Sequence, residues 1–331
     1  MTRRFVPSAG LVRRLALASL VANVGIVLTG GAVRLTGSGL GCPTWPRCTD
    51  DSWTATGEMG LHGAVEFGNR TLTGVLGVIA VAGLVAVLAQ RPRRRSLVWL
   101  ALGVLAGIAA QGLVGGVTVW TGLNPWIVGG HFLISMAIIA VAHTFWRRAA
   151  ESDAPALATV PAPLRALVWV IVATGAVLLA VGTVVTGSGP HAGDAEVARN
   201  GLDPQTISQV HADLSFLLLG LAVAAWFALR AVDARPQAVD AGPQAADAGP
   251  RAADAGPRAV RAAGALVAVI LGQGAVGLVQ YATGLPELLV GLHLLGACLV
   301  WLAILHLQHS TRVRAATGTD LPQREPALAA T

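Results

Sequence analysis

Lysine is absent from this sequence, and all 23 basic residues are arginine. Charge of either sign is scarce at 12% of residues, against about a quarter in an ordinary soluble domain. With 54% hydrophobic residues and a mean hydropathy of +0.65, the chain reads as a polytopic membrane protein rather than a soluble globular one. The net charge of +6 could suggest nucleic acid as a partner. The arginines, however, sit in loops between apolar runs, where the bias of basic residues toward the cytoplasmic side explains them better, and no nucleic acid is expected. Cysteine is limited to three residues, two in one short loop and one, Cys298, inside an apolar run where it reads as a packing residue.

Runs long enough to span a bilayer, about 20 apolar residues, fall at Leu15–Val33, Leu61–Leu88, Leu97–Trp120, Pro125–Phe145, Leu164–Thr186, Ile207–Leu229, Ala262–Ala282 and Pro286–Leu307. They predict eight transmembrane helices. The N-terminus is basic and then apolar, like a signal peptide, yet its apolar run ends in VRLTGSG without a small-residue cleavage site, so it is read as a retained first helix. Arginine clusters precede the first run and follow the second, fourth, sixth and eighth, which puts them all on one side. The expected placement is therefore the cell membrane with both termini cytoplasmic. Only Arg34, Arg47, Arg70 and Arg199 fall elsewhere.

Between the sixth and seventh runs a seven-residue unit recurs as AVDARPQ, AVDAGPQ, AADAGPR and AADAGPR. Each unit carries proline and none offers a large apolar pair, so a coiled coil is excluded and residues 232–260 read as a disordered cytoplasmic linker. The organisation expected is an N-terminal four-helix half over 1–150, a C-terminal half over 151–310 containing that linker, and a cytoplasmic tail over 311–331.

The two halves echo each other. Gln111-Gly112-x-Val114-Gly115 and Gln273-Gly274-x-Val276-Gly277 are each followed at equal spacing by Thr-Gly-Leu and then by His131 or His293. Thr36-Gly-Ser-Gly39 returns as Thr186-Gly-Ser-Gly189, and His62 is matched with His211. An even number of helices per copy keeps both copies in one orientation. The fold class expected is an all-α membrane protein of eight helices, built as two four-helix bundles related by a parallel repeat.

The chemistry concentrates in the second run, which opens LHGAVEFGNRTLTG. His62, Glu66 and Arg70 stand four apart and share one helical face, with Asn69 beside them. Ionisable groups in a spanning segment are costly and usually face the bundle interior or a watery cavity. His62, His131, His211 and His293 each fall near the outer end of an even-numbered helix. One such histidine is ordinary interfacial packing; four, paired by a repeat, suit two bis-histidine heme irons better than zinc or copper, for which further ligands are missing. His143, His306 and His309 lie at inner helix ends and read as interfacial. Cys42 and Cys48, six apart in the first outer loop, suggest a disulfide on the oxidising side. The second half has no counterpart of Glu66, Arg70 or the cysteine pair.

The stretches VRLTGSGLGCPTWPRC, HGAVEFGNR, QGLVGGVTVWTGL, VTGSGPHAGD and QGAVGLVQYATGLPELLVGLH resemble the heme A synthase family, especially its actinobacterial branch. The resemblance runs from Arg13 to about His306. It implies an eight-helix membrane oxidoreductase that converts the C8 methyl of heme O to the formyl of heme A, for cytochrome oxidase. It further implies that His211 and His293 hold a resident heme b, that the first half takes the substrate heme, that Glu66 is the catalytic carboxylate with Arg70 beside it, and that Cys42 and Cys48 are the outer-loop pair. Heme O synthase and a quinone-like electron acceptor are the partners expected from the pathway, alongside membrane lipid.

Two departures from the family pattern stand out. The commoner motif is Glu-x-x-His-Arg, and here its histidine position is Asn69; the ligand role is therefore carried to His62, beside His131. The third outer loop, 187–206, holds no cysteine, so no role of a second pair transfers. Competing readings are a di-heme b-type cytochrome that only passes electrons from quinol, and a transporter; the one-sided Glu66, Arg70 and cysteine set argues against a symmetric relay, and continuous spans argue against transport.

Overall fold

The computed structural model describes residues 6–194, 196–233 and 255–314. Among the described residues there are eight long helices: α1 (Ala9–Leu35), α2 (Gly60–Ala89), α3 (Arg95–Trp120), α4 (Pro125–Ala149), α5 (Ala162–Ser188), α6 (Pro204–Asp233), α7 (Ala255–Ala282) and α8 (Glu287–Ser310). All eight are long and apolar enough to cross a membrane. Each matches one expected run and most extend beyond it, since a helix continues into the interface for as long as its backbone bonds are satisfied. Local chemistry sets several starts: the Ser8 hydroxyl accepts from the Leu11 N–H at α1, and Asn124 caps α4 ahead of Pro125.

The largest departure is at α7, which begins seven residues before the run that marked it. The ends of the expected linker, 232–233 and 255–260, are thus helical rather than disordered. Pro257 lies in the first turn of α7, where a missing N–H removes no helical bond. The remainder of that linker and the tail beyond residue 314 lie outside the described residues.

Helix α1 packs on α2 and α4, and α3 packs on the same two; α5 packs on α6 and α8, as does α7. The two sets meet along α1, α4, α5 and α8. At that seam Trp301 donates its indole N–H to the Met136 carbonyl at 3.0 Å, inside a core that includes Ile139, Ile171 and Ile304. The outward faces are the reverse of a soluble protein: Trp99 is 72% exposed, Phe216 73% and Leu278 70%. Side chains of that size, exposed all around the bundle, are stable only where lipid replaces water.

The two Thr-Gly-Leu turns are alike in detail. Leu123 (φ 58°) and Leu285 (φ 63°) both adopt the left-handed region that non-glycine residues avoid, each preceded by a glycine also at positive φ. Each leucine N–H closes the turn on a carbonyl five residues back, Thr118 or Gln280, at 2.8 Å. At the Arg-rich end, strand β1 (Leu157–Ala158) pairs antiparallel with β2 (Arg312–Val313), a contact no sequence pattern announced. Beside it Asp153 accepts from Arg94 and Arg148, both at 3.0 Å. Burial would raise the Asp153 carboxyl, but hydrogen bonds from Arg94 and Ser96 outweigh it and hold the group below its usual range.

Candidate functional site

The polar face of α2 meets the loop that follows α1. Glu66 is only 6% exposed. Its Oε1 accepts from Arg70 Nε at 3.1 Å and Nη2 at 2.5 Å, and its Oε2 accepts the Cys42 N–H at 2.7 Å. Arg70 also donates to the carbonyls of Cys42 (3.0 Å), Thr44 (2.9 Å) and Arg47 (3.2 Å). All five guanidinium donors are thereby used, the full complement of the group. The pair is therefore a clamp that grips the loop backbone from the helix, and Cys42 is held through both its N–H and its carbonyl.

Cys42 and Cys48 form a disulfide within that loop. A second anchor is aromatic: the Trp45 ring lies against α3 so closely that a Cβ on Gly116 would fall 2.5 Å from it. Trp120 stands edge-on to Trp45 at 5.3 Å and donates its indole N–H to the Trp45 carbonyl at 3.3 Å. Thiol labelling of the unreduced protein should modify at most Cys298, which is buried. Labelling of Cys42 and Cys48 without reductant would show that the bridge does not form in the membrane.

The four histidines are not equivalent. His211 and His293 face each other with ring centroids 6.4 Å apart. In both, the Nδ1–Cε1 edge lies against a glycine of the preceding helix: a Cβ at Gly182 would stand 3.3 Å from His211 Cε1, and one at Gly277 3.0 Å from His293 Cε1. The buried Nδ1 of each has no hydrogen-bond partner among the described residues. Two metal–imidazole bonds of about 2 Å each, plus two ring radii of about 1 Å, span about 6 Å, so the pair has the spacing of a bis-histidine heme ligand set.

In the first set of helices, His131 repeats that seat, with its Cε1 3.5 Å from a Cβ position on Gly115 and its Nδ1 also without a partner. His62 does not. It lies in the first turn of α2, whereas His131, His211 and His293 lie in the second turn or just beyond it. It is exposed, and its Nδ1 shares a 2.9 Å hydrogen bond with Ser38 Oγ. Among the described residues no ring contact joins His62 to His131. Asn69 is engaged elsewhere, accepting from Thr29 Oγ1 at 2.7 Å.

Several contributors were not assigned a role from sequence. Gln111 and Gln273 each donate to the backbone carbonyl of the histidine seven residues into the next helix, His131 or His293, at 2.9 Å. The repeated Gln-Gly-x-Val-Gly motif thus holds both the main chain and the ring edge of a histidine, and its spacing was the available signal. Ser38, fully buried, had no such signal beyond its place in Thr-Gly-Ser-Gly. The stray arginines are also accounted for: Arg34 ties α1 to the far set by donating to the carbonyls of His191 (2.6 Å) and Thr186 (3.0 Å), Arg199 donates to Pro190, and Arg47 lies over the Trp53 ring.

Eight spanning-length helices, with histidines seated in matched glycine notches and a buried ion pair beneath a disulfide loop, define a multi-pass membrane protein. The chain belongs to the family described as cytochrome oxidase assembly protein, whose profile matches residues 13–197. It is similar to the heme A synthase of Hyphomonas neptunium, 28% identical over 209 residues that make up 52% of this chain and 60% of that protein. It is 32% identical over 203 residues to the heme A synthase of Methylobacterium radiotolerans, covering 51% of this chain and 54% of the relative. A Methylobacterium species supplies another, 30% identical over 207 residues and 56% of that protein's length. The matches span 54–60% of the length of these three relatives.

Proposed function

We propose that this protein is a heme A synthase that oxidises the C8 methyl of heme O to the formyl group of heme A. The observation that carries the reading is the His211–His293 pair, with rings 6.4 Å apart, in a chain of this family. In this proposal the two sets of helices are copies of one duplicated unit, residues 1–150 and 151–310, with the Arg-rich end and both termini in the cytoplasm. His211 and His293 hold heme b, which supplies one-electron redox chemistry. Heme O occupies the first half between His62 and His131. The oxidation needs an electron acceptor, for which a membrane quinone is the natural class, and heme O synthase is the natural supplier of substrate.

Glu66 is given the proton-handling role. A carboxylate offers about four lone-pair sites; the clamp occupies three, two on Oε1 and one on Oε2. The remaining site on Oε2 can receive a substrate proton or hold water, while Arg70 fixes the carboxylate through Oε1. Ser38 acts as a positioning residue: by accepting the Nδ1 proton of His62 it leaves Nε2 as the lone-pair nitrogen for iron. Hemes extracted from membranes that contain heme O and this protein should include heme A. Heme O alone, with heme b bound to the protein, would instead make it an electron-carrying di-heme cytochrome.

His62 and Asn69 are separated by a second experiment. His62→Ala should abolish heme A formation while the heme of the other half stays in place. Asn69→His puts an imidazole about 10 Å deeper along the helix and should not raise activity. A mild His62→Ala phenotype together with a gain in Asn69→His would move the ligand to position 69.

A further inference from the structure

The Arg-rich end of the bundle, opposite the disulfide loop, carries a feature that heme chemistry does not use. A cavity of about 250 Å³ is lined there by Arg13, Arg147, Arg258, Arg312 and Arg314. Glu151 is the one acid on its wall among the described residues, and it is already engaged by Arg148 at 3.3 Å and Arg314 at 3.7 Å. His309 also lines the cavity and is only 6% exposed. Its Nδ1 donates to the Leu305 carbonyl at 3.1 Å, and its buried Nε2 has no hydrogen-bond partner among the described residues. Arg147 lies over the Trp146 ring at 5.9 Å, and its buried Nε has no hydrogen-bond partner among the described residues. Leaving Arg258 aside, Arg13, Arg147, Arg312 and Arg314 thus outnumber the one acid that the described residues place on the wall.

Trp146 forms part of this wall and also of a second cavity, again of about 250 Å³, between α1, α4, α7 and α8. That second space is largely apolar, bounded by Leu20, Ala262, Leu302 and Ala303, with the His143 and His306 rings also on its wall. A cationic chamber at the helix ends therefore adjoins a largely apolar slot at the seam of the two sets of helices.

We propose that the two cavities together bind one anionic phospholipid from the leaflet at the Arg-rich side, with the phosphate among the arginines and an acyl chain in the slot past Trp146. The charge excess calls for an anion, and the apolar slot next to it calls for an anion that carries a chain. Basic pockets between spanning helices at this level match phosphate headgroups. The lipid touches α1 and α4 from one set and α7 and α8 from the other, so it pins the seam. A free phosphate leaves the slot unfilled, and a zwitterionic lipid brings no net negative charge to the arginines.

The test is native mass spectrometry of the full chain in non-ionic detergent, titrated with dioleoylphosphatidylglycerol, with dioleoylphosphatidylcholine, and separately with inorganic phosphate. Phosphatidylglycerol should bind at least tenfold more tightly than phosphatidylcholine. Each basic contact near a membrane surface contributes about 1 kcal/mol, or about fivefold in affinity. Arg13→Gln and Arg312→Gln should each lose about that factor. Ala265→Phe narrows the exposed mouth of the slot; it should weaken phosphatidylglycerol and leave inorganic phosphate unchanged. If an arginine variant loses its helical circular dichroism, the slot variant carries the test. Equal binding of the two lipids overturns the proposal. So does tight inorganic phosphate binding with Ala265→Phe indifferent to lipid, which makes the chamber a free-phosphate site.

Discussion

Alanine at His211 or at His293 should strip the purified protein of most of its heme, with pyridine hemochrome content falling at least tenfold. Loss of supporting hydrogen bonds around a metal ligand alone costs 10–100-fold in affinity, roughly, and here a ligand itself is deleted. The geometry leaves no substitute: among the described residues His211 and His293 are the imidazoles that face each other at this level, and both are seated against glycine. Alanine at His62 is the control, since that residue belongs to the other set of helices and hydrogen-bonds Ser38. Full heme retention in both the His211 and His293 variants would overturn the assignment of the resident cofactor.

Arg70→Ala should be the most destabilising single change in the first half. It removes five donors at once, three of them to loop carbonyls and two to Glu66. The carboxylate left behind is 6% exposed and retains only the Cys42 N–H. Breaking a buried ion pair from one side costs about 3–5 kcal/mol. A drop in thermal midpoint, with faster reduction of the Cys42–Cys48 bridge, is the expected readout. Glu66→Gln keeps volume and one carbonyl acceptor, so it should lose far less stability. On the proposed function it should nevertheless lose heme A formation. A Glu66→Gln protein that is both stable and active would reduce the pair to a structural clamp.

Much of this was written in period and composition. Runs of apolar residues marked all eight helices, because lipid demands a helix of fixed length and leaves few alternatives. The repeated Gln-Gly-x-Val-Gly motif identified where histidines would be seated before its glutamine had a task. What sequence could not convey was depth and partner. His62 matched His211 in spacing, yet it sits a turn nearer the helix start and bonds a serine of the loop after α1, because register between packed helices is set by loop length and side-chain fit. The start of α7 was misjudged because proline was read as a helix breaker, whereas at Pro257 it stands in a first turn. The β1–β2 pair could not be anticipated, since two-residue strands carry no periodicity.

The indole of Trp45 rests on a backbone without a side chain at Gly116. A glycine inside a helix sacrifices about 1 kcal/mol relative to alanine, and α3 recovers it by burying an aromatic face from a loop far away in sequence. Positions 45 and 116 are therefore epistatic. Any side chain introduced at 116 obliges a smaller residue at 45, and the outer loop and the third helix can drift through sequence space only together.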